Sequence, residues 1–142
     1  MIGVRRMADQ QPLDGLRILI AEDNVFAAME LEQTLKDCGC RPVGPAATVD
    51  QALRLARDEA LDGAVLDVNL RDQPVFPVAE ELTRRGVRVI FATGYDDGYA
   101  FPQHLAECAR LRKPYFQHEL KRRLMQTFAL PSDTSQRGRM PQ

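Results

Sequence analysis

The chain has 142 residues, 44% of them apolar and 27% charged, which suits one compact domain and leaves little material for a second. A formal charge of -1 at pH 7 and a pI near 6.1 exclude a protein that holds nucleic acid or anionic lipid by bulk positive charge. No run approaches the roughly 18 to 20 apolar residues of a membrane span, and the first fifteen residues are too polar for a signal peptide, so a cytoplasmic location is expected.

Residues 1–14 show no apolar periodicity and are expected to form a flexible lead-in, with Met7 as a second possible start. Leu16-Arg17-Ile18-Leu19-Ile20-Ala21 is a nearly continuous apolar run, the pattern of a strand covered on both faces, and it ends at Glu22-Asp23-Asn24. Asn24 is a suitable N-cap. Ala27, Ala28, Leu31, Leu35 and Cys38 then recur at helical spacing, with Gly39 as the stop. A short strand is expected over Cys40 to Val43, closed by the Gly44-Pro45 break. Thr48 and Gln51 form a capping-box pattern ahead of a second helix marked by Val49, Ala52, Leu53 and Ala56.

Ala64-Val65-Leu66 is a further apolar strand that runs into Asp67. Pro77 suits the first position of a third helix carrying Val78 and Leu82 and ending at Gly86. Val87 to Ala92 is again continuously apolar and ends at Thr93-Gly94. Between Tyr95 and Glu107 there is space for a short helix at most, around Gln103 to Glu107. A weak strand over Ala109 to Arg112 meets Lys113-Pro114, and Phe116, Leu120, Leu124 and Phe128 step along a last helix. Residues 15–129 make up the folded domain, and the polar residues 130–142 read as a disordered tail.

Strands alternating with helices predict an α/β fold, a parallel sheet with helices on both faces, whose ligands bind beyond the carboxyl ends of the strands. Glu22 and Asp23, Asp67, Thr93 and Lys113 all fall at such ends. Singly, each has an ordinary role as a cap, a turn residue or a surface charge. Jointly they describe a phosphoryl site. Three carboxylates at one edge stay ionised together only with a cation among them, and oxygen ligands suit Mg²⁺. Asp67 can then act as a carboxylate nucleophile, Thr93 can donate its hydroxyl, and Lys113 can neutralise phosphoryl charge.

The remaining chemistry is sparse. Cys38, Cys40 and Cys108 lack zinc-knuckle or redox-pair spacing and read as free thiols, and only His104 and His118 could join them in a metal site. Of the basic residues only Lys36, Lys113 and Lys121 are lysines, and Lys36 and Lys121 lie on expected helices. Lys113 is thus the compact point charge placed to meet a phosphoryl group.

These segments, Ile18 to Asn24, Val65-Leu66-Asp67-Val68-Asn69-Leu70, Ala92-Thr93-Gly94 and Lys113-Pro114, resemble the receiver domain of two-component response regulators over roughly Leu16 to Phe128. The resemblance implies a five-stranded flavodoxin-like receiver fold and phosphorylation of Asp67 by a histidine kinase or histidine phosphotransfer protein. It implies Mg²⁺ held by Glu22, Asp23, Asp67 and the main-chain carbonyl of Asn69, and a cis peptide before Pro114. Arg110 stands where receivers usually carry an aromatic switch residue. Phe91-Ala92-Thr93-Gly94-Tyr95 is similar to the signature of the FATGUY receivers of alphaproteobacterial general stress signalling, although Arg88-Val89 replaces its Pro-Phe. That makes Tyr95 the candidate switch residue.

The resulting expectation is a single-domain phosphoacceptor rather than a turnover enzyme. Its output would be by protein contact through loop 95–101, a short fourth helix and the last helix, with no nucleic acid or membrane partner. Two alternatives share the resemblance: a phosphate sink in a branched relay, and a degenerate receiver acting as a constitutive scaffold. A haloacid-dehalogenase-like hydrolase would need its nucleophile after the first strand with a second Asp two residues on, and Glu22-Asp23-Asn24 does not supply this. A flavodoxin-like cofactor carrier would need a Ser/Thr/Gly phosphate loop there instead of acids.

Overall fold

The computed structural model describes residues 12–94 and 101–129. Five strands, β1 (Arg17–Ala21), β2 (Arg41–Ala46), β3 (Gly63–Asp67), β6 (Arg88–Thr93) and β7 (Ala109–Arg112), form one parallel sheet in the order β2-β1-β3-β6-β7. Between β3 and β6 lies a small antiparallel hairpin, β4 (Asn69–Leu70) and β5 (Gln73–Pro74). Four helices complete the fold: α1 (Val25–Asp37), α2 (Val49–Asp58), α3 (Phe76–Arg84) and α4 (Gln117–Phe128).

The alternation of side chains along the strands divides the core in two. On one face Leu19, Leu66, Val89 and Phe91 pack against Ala52 and Ala56 of α2 and Val78, Ala79 and Leu82 of α3. On the other, Ile18, Ile20, Val65, Ile90 and Leu111 pack against Leu31 and Leu35 of α1 and Leu120, Leu124 and Phe128 of α4. Strands buried on both faces must be apolar at nearly every position, which is why they read as continuous runs. Packing is close where β3 begins. A Cβ on Gly63 would overlap the Phe128 ring, so α4 settles on the sheet only because that position is glycine.

Several boundaries differ from the sequence expectation. Residues 1–11 and 130–142 lie outside the described residues, but Leu13, assigned to the flexible lead-in, is 1% exposed in the same core layer as Ile18 and Leu35. The edge strand β2 runs through the Gly44-Pro45 break, where Gly44 has φ 103° and the register against β1 is irregular; the Gly44–Pro45 peptide is cis. Helix α3 starts at Phe76, placing Pro77 one position into the helix. Thr48 accepts from the Gln51 amide as expected, whereas the Gln51 side chain accepts from Ala47 rather than from its cap partner. Phe116 is an exposed cap residue rather than part of the buried stripe. The expected short fourth helix is a single 3₁₀ turn, Gln103–Leu105. No helix among the described residues is long and apolar enough to cross a membrane.

Candidate functional site

The parallel register brings the carboxyl ends of β1, β3 and β6 to one edge, next to the start of the segment that follows β7. Asp67 is the last residue of β3 and pairs with Ala92, while Thr93 pairs with Arg112 and its carbonyl accepts from the Lys113 amide at 2.7 Å. Glu22 and Asp23 leave β1 just before Asn24, whose side chain accepts from the Ala27 amide and caps α1. The α1 cap therefore also sets the direction in which the two acids leave the sheet.

Glu22, Asp23 and Asp67 each place a carboxylate oxygen within 4.8 Å of the others. Glu22 is 4% and Asp67 7% exposed, while Asp23 is half-buried. Lys113 Nζ reaches into the cluster, 2.9 Å from Asp67 Oδ2 and 3.3 Å from Glu22 Oε1. The Asn69 amide donates to Asp67 Oδ1 at 3.3 Å, the Asn24 amide donates to Glu22 Oε2 at 3.1 Å, and the Arg71 amide donates to Asp23 Oδ2 at 2.8 Å. The Lys113–Pro114 peptide is cis.

The electrostatics follow from burial and crowding. Burial raises the Glu22 carboxyl pKa against the opposing hydrogen bond from Asn24, and the Asp67 charge adds to the rise. Burial works against the Lys113 ammonium, yet the hydrogen bond and charge of Asp67, with Glu22 behind them, outweigh it and raise its pKa. Nearby Tyr115 is also raised, by burial first and then by the Glu22 charge. Three carboxylates around one ammonium leave the cluster short of positive charge.

That shortage is the test of whether a divalent cation fits. The donor set is entirely oxygen, the acids already converge, and the buried Asn69 Oδ1 has no hydrogen-bond partner. These properties suit a hard ion such as Mg²⁺ and not a thiolate-loving one. The acids border an open polar cleft of about 420 Å³ lined by Asp23, Asp67, Asn69, Arg71, Asp72, Gly94 and Lys113. A larger cleft of about 580 Å³ lies between α2 and α3, by Arg57, Glu80 and His104, but it lacks this convergence of acids on a lysine, so chemistry rather than size selects the site.

Among the expected site residues, Glu22, Asp23, Asp67, Asn69 and Lys113 are brought together. Thr93 stands at the same edge beside Gly94, and among the described residues its hydroxyl makes no hydrogen bond. Tyr95 and loop 95–100 lie outside the described residues. At the position of the missing switch aromatic, the Arg110 guanidinium carbon sits 3.8 Å from the centroid of the Phe101 ring. Phe101 in turn packs edge-on against Phe91 and Phe76, with centroids 4.8 and 5.0 Å away.

Sequence reasoning missed the β4–β5 hairpin and with it Arg71 and Asp72 on the cleft wall. Its turn lacks the Asn-Gly or Asp-Gly pair that marks such hairpins. Only the strand-and-turn length between Asp67 and Pro77 hinted at it.

The response regulator receiver domain model matches residues 18–124. The solution structure of SdrG from Sphingomonas melonis Fr1 is similar to this chain at 36% identity and a TM-score of 0.68, covering 81% of this chain and 96% of that one. The BeF3-activated conformation of SdrG, from Pseudomonas melonis Fr1, is 37% identical with a TM-score of 0.62, over 78% of this chain and 94% of that one. A receiver domain of a sensor histidine kinase from Pseudomonas aeruginosa PAO1 was solved with a magnesium ion coordinated in its active site cleft. It is 25% identical with a TM-score of 0.65, over 81% of this chain and 98% of that one. No curated protein sequence matches the chain.

Proposed function

We propose that this chain, which belongs to the response regulator receiver family, accepts a phosphoryl group on Asp67 from a phosphohistidine of a histidine kinase or phosphotransfer protein. The observation that carries this reading is the convergence of Glu22, Asp23 and Asp67 on the Lys113 ammonium at the carboxyl edge of the sheet. An Asp67 carboxylate oxygen attacks phosphorus, an O–P bond forms, the donor P–N bond breaks, and the imidazole leaves with the nitrogen lone pair. Lys113 balances phosphoryl charge, and the Thr93 hydroxyl donates to a phosphoryl oxygen.

Glu22, Asp23, Asp67 and the Asn69 main-chain carbonyl would hold Mg²⁺, which when bound shields the incoming phosphoryl oxygens from the acids. Lys113 anchors Asp67 and Glu22 in its absence. The approach of a protein donor is supported by an exposed apolar collar beside the site. Val25 and Phe26 follow Asp23 within three residues, Met29 lies one turn further along α1, and Phe116 follows Lys113. Side chains of this size left exposed together mark a contact surface.

Downstream output would run through loop 95–101, the 3₁₀ turn and α4. The finer assignment to FATGUY-type stress signalling, with Tyr95 as the switch, rests on the Phe91 to Tyr95 sequence and on no geometry. Transfer of labelled phosphate from a phosphorylated histidine kinase tests the reading. Label should pass to the wild type and not to Asp67→Asn; equal labelling of both would refute it.

A further inference from the structure

The hairpin after Asp67 carries two cleft-lining residues for which the chemistry above has no use. Its turn is Arg71-Asp72, closed by the pairs Leu70 with Gln73 and Asn69 with Pro74, and both turn residues are left-handed, with φ 49° and 66°. Such a turn favours Asn-Gly because a Cβ is costly at positive φ, and arginine is an unfavourable choice at its first position. Backbone in a disfavoured region persists where its surroundings hold it. Here the hold comes from the site itself, since the Arg71 amide donates to Asp23 Oδ2 at 2.8 Å and fixes the turn against the acidic cluster.

Arg71 and Asp72 line the same cleft as Asp67 and Lys113. Arg71 is exposed, and among the described residues its guanidinium forms no ion pair. Lys113, by contrast, is already engaged by two carboxylates, at 2.9 and 3.3 Å. A phosphoryl group presents three oxygens, more than one engaged ammonium and one threonine hydroxyl can cover. A planar guanidinium offers two parallel donors suited to that shape.

We propose that Arg71 is a phosphoryl-binding residue, its guanidinium reaching from the hairpin turn to the phosphoryl group on Asp67 while its amide holds the turn on Asp23. Asp72 beside it opposes the same anion and sets how tightly it is held. The inference rests on the reading of Asp67 as phosphoacceptor, and the test separates the two.

Beryllofluoride with Mg²⁺, titrated into the full chain and followed by fluorine NMR, is the probe. Arg71→Asn is the informative variant because asparagine tolerates positive φ better than arginine, so its melting temperature should be no lower than that of the wild type. Its beryllofluoride affinity should nevertheless fall about fivefold to tenfold, with Arg71→Lys in between, because a charge-assisted bidentate contact is lost. Asp72→Asn should bind more tightly than the wild type. If Arg71→Asn and the wild type bind alike while Asp67→Asn does not bind, the Arg71 proposal alone is overturned. If the wild type binds no beryllofluoride, the phosphoacceptor reading falls and takes this proposal with it.

Discussion

In the proposed site, Lys113 serves stability as well as function. Its ammonium is the only cation within hydrogen-bond reach of Glu22 and Asp67 among the described residues, and both of those acids are buried. Removing it leaves two buried carboxylates facing each other, and breaking a buried pair costs more than forming one gains. Lys113→Met keeps the apolar stem and deletes the charge, so it should lower unfolding stability by about 2 kcal/mol in magnesium-free buffer, below the full buried-pair cost because the lysine is partly exposed. Urea unfolding measures this, and an unchanged midpoint would mean that the acids are relieved another way. At this scale the sequence was informative where chemistry is tied to strand ends: Glu22, Asp23, Asp67 and Lys113 stand out because acids and a lysine interrupt apolar runs. Arg71 was not legible, since its place depends on a turn conformation that its own residue type disfavours.

The elements divide in the same way. Strands β1, β3 and β6 were readable because burial on both faces demands unbroken apolar sequence, and α1 and α2 because one buried stripe imposes helical spacing. Strand β2 was foreshortened in the reading because Gly44 and Pro45 normally end a strand, whereas an edge strand accommodates a glycine at positive φ and a proline. Leu13 was missed because a lone leucine among polar residues has no periodicity to reveal its burial. The seating of α4 was equally hidden, since nothing in the sequence ties Gly63 to Phe128. A methyl group at Gly63 would displace the Phe128 ring, so Gly63→Ala should destabilise the protein by about 1–3 kcal/mol, the usual cost of overpacking. Gly63→Ala/Phe128→Leu should recover part of that loss, and purely additive losses in denaturant unfolding would contradict the contact.

For the molecule as a whole, the order β2-β1-β3-β6-β7 explains why residues distant in sequence share a site. After β2 the chain passes back over β1, so β3 lies on the other side of β1 and Glu22, Asp23 and Asp67 leave the sheet together at its centre. Periodicity predicted a parallel α/β sheet and the resemblance to receivers its five strands, but their order was not read from the sequence, because buried strands of similar composition do not encode their neighbours. The same topology places α1, with its exposed Val25, Phe26 and Met29, next to the acids, so the surface proposed for a protein donor and the proposed site of chemistry lie side by side. On the proposed reading this edge is a magnesium-dependent phosphoacceptor centred on Asp67. Incubation with acetyl phosphate and Mg²⁺, followed by intact-mass measurement, tests it most directly. One phosphoryl adduct is expected on the wild type, lost when the metal is chelated beforehand and lost in Asp67→Asn; no adduct on the wild type, or one that persists in Asp67→Asn, would overturn this reading.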